Sequence, residues 1–197
     1  DRRIADNVAA LRAGRWGKKG FAKGSLGIRG RTIGIIGMGA IGREVAVRAQ
    51  AFGMSVVGFD PALDDATAEQ LGLVAKSSMV EVAAVADVLT VHVGLNDHTR
   101  GMIDRDVLGA LKEGATFINT SRGPVVDEEA LVWAVQSRSI KAGLDVFCDE
   151  PPNDGEWTTP LAALPGVYGT HHIGASTQEA SEAVGDEVVR ILSRFMA

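Results

Sequence analysis

Three polar blocks, each placed directly after an apolar run, hold the side chains best suited to chemistry. They read Asn119-Thr120-Ser121-Arg122-Gly123-Pro124, then Asp145 through Glu150-Pro151-Pro152, then Thr170-His171-His172-Ile173-Gly174-Ala175. Together they supply a guanidinium, several carboxylates and a pair of imidazoles. A guanidinium grips a carboxylate as a two-pronged fork and so fixes the carbon beside it. An imidazole takes or returns a hydroxyl proton near neutral pH, and a neighbouring carboxylate orients it and favours its charged form. That set suits hydride transfer at the carbon of a hydroxy acid.

A hydride needs an acceptor, and a fourth block points to one. Residues 31–60 read as an apolar run, a glycine turn (Gly37-Met38-Gly39-Ala40-Ile41-Gly42), an amphipathic helix to Phe52, a second β-branched run and a closing Asp60. This is a βαβ unit with G-x-G-x-x-G at its first turn. Gly37 permits the tight turn, Gly39 lets a pyrophosphate approach the backbone, and Gly42 lets the helix lie close to the strand. The unpaired N–H groups and positive dipole end of the helix face the anion. Ile41, Val45, Ala49 and Phe52 share one helical face and are expected to bury it against the sheet.

Asp60 follows Gly42 at close to the ~20-residue spacing of an acid that binds ribose hydroxyls. A carboxylate there repels a 2′-phosphate, by about 4 kcal/mol at ~4 Å and an effective dielectric of ~20. Half of that already favours NAD over NADP by more than about tenfold. Pro61 to Asp65 offer no Arg or Lys to receive such a phosphate. The alternative is a glycine turn of purely structural use.

The elements that position these groups alternate along the chain. Residues 1–13 read as a helix, and residues 14–31 as an extended, solvated connector rich in glycine and base. Trp16 and Phe21 are its apolar anchors if it instead packs on a partner. Helices are expected at 40–52, 66–71, 79–85, 104–111, 127–136 and 177–195, with Asp127 as an N-cap. Strands are expected at 32–36, 55–59, 73–75, 88–93, 115–118, 140–146 and 167–169. The fold class is therefore α/β: a Rossmann-type, doubly wound parallel sheet with helices on both faces. Ligands bind such sheets beyond the carboxyl ends of the strands, where the polar blocks lie.

Composition agrees. The chain has 197 residues, 46% hydrophobic and 23% charged, enough for one α/β domain with a sizeable core. A net charge of −5 argues against a general nucleic-acid or anionic-membrane binder. The single cysteine, Cys148, excludes an internal disulfide and fits a reducing cytoplasm. No apolar run is long enough to span a membrane. His171-His172 has no Cys or carboxylate at ligand spacing, so no metal site is expected.

The blocks GMGAIG, INTSRGPVVDE, LDVFCDEPP and HHIGASTQEA together resemble the D-2-hydroxyacid dehydrogenases over nearly the whole chain. The resemblance implies NAD-dependent oxidation of a D-2-hydroxy acid, with 3-phosphoglycerate, a step of serine biosynthesis, the substrate that the HIGAST and EPP wording suggests. A glyoxylate or hydroxypyruvate reductase, or a non-catalytic NAD-sensing module of the same fold, are the alternatives. By the resemblance the catalytic residues are Arg122, Glu150 and His172. The cofactor contacts fall on Gly37, Gly39, Ala40, Ile41, Gly42, Asp60, Thr120, Ser121, Arg122, Asp145, His172, Gly174 and Ala175, with Asp145 facing the nicotinamide carboxamide.

Two positions depart from the family pattern, His171 and Gly94, where proline is usual. Adjacent residues of an extended segment point opposite ways, so only one of His171 and His172 is expected to face the cleft, and His172 keeps the register. Read without the resemblance, Arg122 could pair with Asp127, Glu150 could be a solvated turn acid and Asp145 a helix cap. His92 reads as structural and His98 as a surface residue. Both chain ends fall in helical patterns, so the chain is expected to be the NAD-binding domain, residues 1–197, of a longer protein whose substrate domain lies outside it. The resemblance further implies a homodimer formed through this domain.

Overall fold

The computed structural model describes residues 2–196; Asp1, at the start of the first expected helix, and Ala197 lie outside the described residues. Two helices, α1 (Ile4–Arg12) and α2 (Lys18–Ala22), precede the sheet. Then β1 (Thr32–Ile36), α3 (Ala40–Ala51), β2 (Ser55–Phe59), α4 (Asp65–Gln70), β3 (Val74–Ala75), α5 (Met79–Val85) and β4 (Val88–Val91) form the first half. The second half runs α6 (Arg105–Ala110), β5 (Thr116–Asn119), a 3-10 turn (Gly123–Val125), α7 (Glu128–Arg138), β6 (Lys141–Leu144), β7 (Val167–Gly169) and α8 (Gln178–Met196).

All seven strands pair in parallel, in the order β3-β2-β1-β4-β5-β6-β7. The order reverses between β1 and β4, which opens a crevice at their carboxyl ends. Short polar side chains start four of the helices between strands; α3, whose N-cap is Gly39, is the exception. Asp64, Ser78, Asp104 and Asp127 each accept an otherwise unpaired backbone N–H in the first turn of the helix that follows. Each such cap stabilises its helix by about 1 kcal/mol. Asp127 is thus engaged with Ala130 N at 3.0 Å rather than with Arg122.

The core divides by sheet face. On one side α5, α6 and α7 bury Val82, Leu108, Leu131 and Ala134 against Leu89, Phe117 and Leu144. On the other, α3 and α4 bury Ala46, Ala49 and Ala68 against Ile33, Ile35 and Val56. Gly34 lets α5 sit directly on β1: a Cβ there would lie 2.6 Å from Val82 Cγ1.

The buried face of α3 agrees with the expectation only in its middle. Ala49 is buried and Val45 packs against the same cluster, but Ile41 and Phe52 are both exposed, and the stripe facing the sheet is Gly42, Ala46 and Ala49. The cause is steric. A Cβ on Gly42 would lie 2.0 Å from Gly37 O, so the turn pins that side of the helix inward. Small residues then let the helix axis approach the strand, which the larger Ile and Phe would prevent.

The connector over 14–31 also departs from an extended path. It folds into α2 and a series of turns with Gly14, Gly24, Gly27 and Gly30 in the left-handed region. Arg3 lies over the Phe21 ring and donates to Gly20 O at 2.5 Å, and Trp16 is exposed. Tyr168 on β7 donates to Asp6 Oδ2 at 2.6 Å, which ties α1 to the sheet. Burial, with the Asp6 carboxylate beside it, pushes the Tyr168 phenol up to about 12. Among the described residues no helix is long and apolar enough to cross a membrane.

Candidate functional site

At the glycine turn, backbone contacts decide the shape. Gly37 has φ +91°, and a Cβ there would lie 2.4 Å from His92 O, so both conformation and space demand glycine. Gly39 is the opposite case: a Cβ there would meet nothing within 4 Å. The turn is closed behind Gly37 and Gly42 and open in front of Gly39, at the N-terminus of a 12-residue helix. That is the shape and polarity a pyrophosphate needs.

Asp60 leaves the end of β2 and braces the turn. Its Oδ2 accepts from Met38 N and its Oδ1 from Ala62 N, each at 2.9 Å. A carboxylate has about four acceptor positions, so about two remain for the hydroxyls of a ribose. Arg43, which sequence reasoning passed over, donates from Nε to Met38 O at 2.9 Å and brings a cation to the same turn.

Beyond β5, the loop 120–122 is held by Asn119, which the sequence reading named in its block but gave no role. Asn119 is 1% exposed; its Oδ1 accepts from Ser121 N at 2.9 Å and from Ser121 Oγ at 2.8 Å. Its Nδ2 donates to Arg122 O at 3.0 Å. A polar residue closing a buried strand is the signal that marks it. Arg122 Nη1 donates to Ser121 O at 2.6 Å, and among the described residues no carboxylate pairs with this guanidinium. Gly123 brings the loop against the next one, since a Cβ there would lie 2.0 Å from Phe147 O.

Glu150 and His172 come together across a 22-residue separation. His172 Nδ1 lies 2.7 Å from Glu150 Oε2, and Glu150 Oε1 accepts from Phe147 N at 2.7 Å. Glu150 is therefore a bridge and not a free turn acid. Both residues border a cavity of about 630 Å³ beyond the ends of β6 and β7, together with Trp157, Asp154 and His171. His171 thus shares the cavity with His172, contrary to the alternation expected of an extended segment. The reason is local: His172 has φ +54°, so the chain turns there instead of running straight. His172 alone reaches Glu150.

Asp145 does not cap a helix. Its Oδ1 accepts from Thr170 Oγ1 at 2.5 Å and Ile173 N at 3.0 Å, and its Oδ2 from Gly174 N at 2.8 Å. Burial alone would raise its carboxyl; the three hydrogen bonds and the nearby His172 outweigh it and hold the group below its ordinary value. Ala175 follows in an exposed turn. Cys148 is half-buried, and burial with Glu128 beside it pushes the thiol up to about 11, which keeps it protonated and unreactive at neutral pH. His92 meets Thr90 Oγ1 at 3.0 Å and burial lowers its pKa, as suits a structural residue, while His98 is exposed.

Comparison with known proteins is consistent across sequence and structure. Residues 1–174 match the profile described as D-isomer specific 2-hydroxyacid dehydrogenase, NAD binding domain. The chain is 40% identical over 196 residues to D-3-phosphoglycerate dehydrogenase of Methanocaldococcus jannaschii, covering 99% of this chain and 36% of that protein. It is 42% identical over 189 residues to hydroxypyruvate reductase of Thermotoga maritima, covering 95% of this chain and 60% of that protein. Among solved structures, D-lactate dehydrogenase of Aquifex aeolicus in complex with NAD and lactic acid aligns with a TM-score of 0.79 at 31% identity, over 99% of this chain and 61% of that one. The chain thus spans between about a third and three fifths of these relatives.

Proposed function

The chain belongs to the D-isomer specific 2-hydroxyacid dehydrogenases as their NAD-binding domain, and from that premise we propose that it serves the oxidation of a D-2-hydroxy acid with His172 as the proton-transferring residue. The observation that carries this reading is the 2.7 Å contact of His172 Nδ1 with Glu150. It occupies one ring nitrogen, fixes the ring's orientation and leaves Nε2 to accept the substrate hydroxyl proton.

Glu150, itself held by Phe147 N, keeps the imidazole in place and faces the cation formed when the proton arrives. Arg122 offers donors beyond the one it gives to Ser121 O, enough to hold the substrate carboxylate as a fork. NAD, when bound, supplies the hydride acceptor. The turn at Gly37–Gly42, with Ala40 and Ile41 opening α3, holds its pyrophosphate, and Asp60 takes the ribose hydroxyls. Thr120, Ser121, Arg122, Asp145, His172, Gly174 and Ala175 would make its further contacts, with Asp145 toward the nicotinamide carboxamide.

The substrate proposed is 3-phosphoglycerate, on the identity with the phosphoglycerate dehydrogenases. The comparable identity to a hydroxypyruvate reductase supports reduction of a small 2-keto acid as the second reading. A homodimer formed through this domain, in the cytoplasm, is part of the same proposal.

The test has two arms. Titration of the chain with NADH, NADPH and ADP-ribose should show an NADH preference of about tenfold or more that disappears in Asp60→Ala. In the enzyme that carries this domain with its substrate-gripping part, His172→Asn should lower kcat by about 10²–10⁴-fold, far more than it weakens NADH binding. Full turnover by His172→Asn would refute the catalytic assignment.

A further inference from the structure

Asp145 is a buried ionisable group, at 7% exposure, and its three hydrogen bonds all go to one short stretch. The donors are the Thr170 hydroxyl and the Ile173 and Gly174 amides, so they bracket His172 on both sides. The bracketed residue has φ +54°, a region that a non-glycine residue holds only when its surroundings over-determine it. Gly174 contributes by its size, since a Cβ there would lie 2.8 Å from Asp145 Oδ2. The loop approaches the carboxylate this closely because position 174 lacks a side chain.

From this geometry we infer that Asp145 is a positioning residue that clamps residues 170–174 in the left-handed turn from which His172 Nδ1 meets Glu150. The role is separate from any contact of Asp145 with the cofactor. Its consequence for proton transfer rests on the reading of His172 given above, whereas the clamp itself does not. Two carboxylates then divide the work: Glu150 holds the ring of His172, and Asp145 holds the backbone that carries the ring. With the clamp released, His172 can leave the left-handed region, and its ring loses the register with Glu150.

All three partners of Asp145 are donors, which dictates a carboxylate. Asp145→Asn keeps the volume but turns an NH₂ toward at least one donor, so at least one bond is lost and replaced by a repulsive contact. Thr170→Val is milder: it removes the hydroxyl donor and leaves the carboxylate with both amides.

The experiment uses the ¹⁵N-labelled chain in three forms: unsubstituted, Asp145→Asn and Thr170→Val. Amide exchange is followed at Ile173 and Gly174, and the ring nitrogens of His172 report its tautomer. The unsubstituted chain should show slow exchange at both amides and a single Nδ1–H tautomer in the neutral ring. In Asp145→Asn, exchange at both amides should accelerate about tenfold or more and the ring should populate both tautomers. A merely structural carboxylate would leave the His172 tautomer unchanged, and that result overturns the inference. If Asp145→Asn does not fold, Thr170→Val decides alone: faster exchange at Ile173 and Gly174 supports the clamp, and unchanged exchange refutes it. A disturbed loop combined with full turnover by His172→Asn would uphold the clamp while removing the proton-transfer reading.

Discussion

The glycine turn and the polar edge beyond β5–β7 serve one proposed site but are built on different principles. At the turn, shape comes from the absence of side chains: Gly37, Gly39 and Gly42 lie within six residues, and two of them have backbone oxygen within 2.4 Å of where a Cβ would stand. At the polar edge, shape comes from side chains that bridge long separations. Asp145 reaches Gly174 across 29 residues, Glu150 reaches His172 across 22, and Asn119 knots its own loop. The first region should fail by steric exclusion, all at once, and the second bond by bond.

Substitutions should separate the two modes. The largest effect is expected from Gly42→Ala, whose Cβ meets Gly37 O at 2.0 Å. Backbone must move, at a cost of about 3 kcal/mol, the upper end for an overpacked site. Thermal melting should fall and NADH binding vanish together; a variant that keeps both would show that the turn is less tightly closed than a 2.0 Å approach implies. Next comes Glu150→Gln, which preserves size and the Phe147 bond but removes the charge facing His172. In the complete enzyme kcat should drop about 10–100-fold, with the melting temperature almost unchanged. Loss of stability in place of turnover would erase the contrast between the regions.

The smallest effect is on acid stability. Asp145 has its carboxyl held below the ordinary value of 3.8, as does Asp87, which accepts from Thr32 N and Lys112 at the amino ends of the central strands. A depressed folded-state pKa contributes stability that is present above 3.8 and is lost as pH falls through the folded value. Melting temperatures of the chain should therefore fall modestly as pH drops below about 4. Asp145→Asn should be less stable at neutral pH and should flatten part of that acid drop, leaving the part due to Asp87.

Much of the fold was legible because it is local. Continuous apolar runs located the strands and period-3.6 patterns the helices, most boundaries fall within two residues, and Asp127 caps α7 as its position suggested. The parallel, reversing sheet followed from strand–helix alternation. What escaped was orientation. The hydrophobic pattern of α3 pointed to Ile41, Val45, Ala49 and Phe52; Val45 and Ala49 do pack inward, but the packing of Gly42 on Gly37 O turns the helix so that Ile41 and Phe52 face outward and Gly42 and Ala46 take their place. A periodicity argument registers hydrophobicity and cannot register the distance at which a helix must lie.

The same division holds at the site. The residue types and the places where they occur, Arg122, Glu150 and His172 after successive strands, were determined by the sequence, since the end of a parallel strand is a position the pattern itself reveals. Only the tertiary structure decided which groups touch. It paired His172 with Glu150, turned the chain at His172 so that His171 borders the same cavity, engaged Asp145 with the loop after β7, and set Asn119 under Arg122. Those contacts depend on where β5, β6 and β7 lie relative to one another, and that separation is set by sheet pairing between residues far apart in the chain.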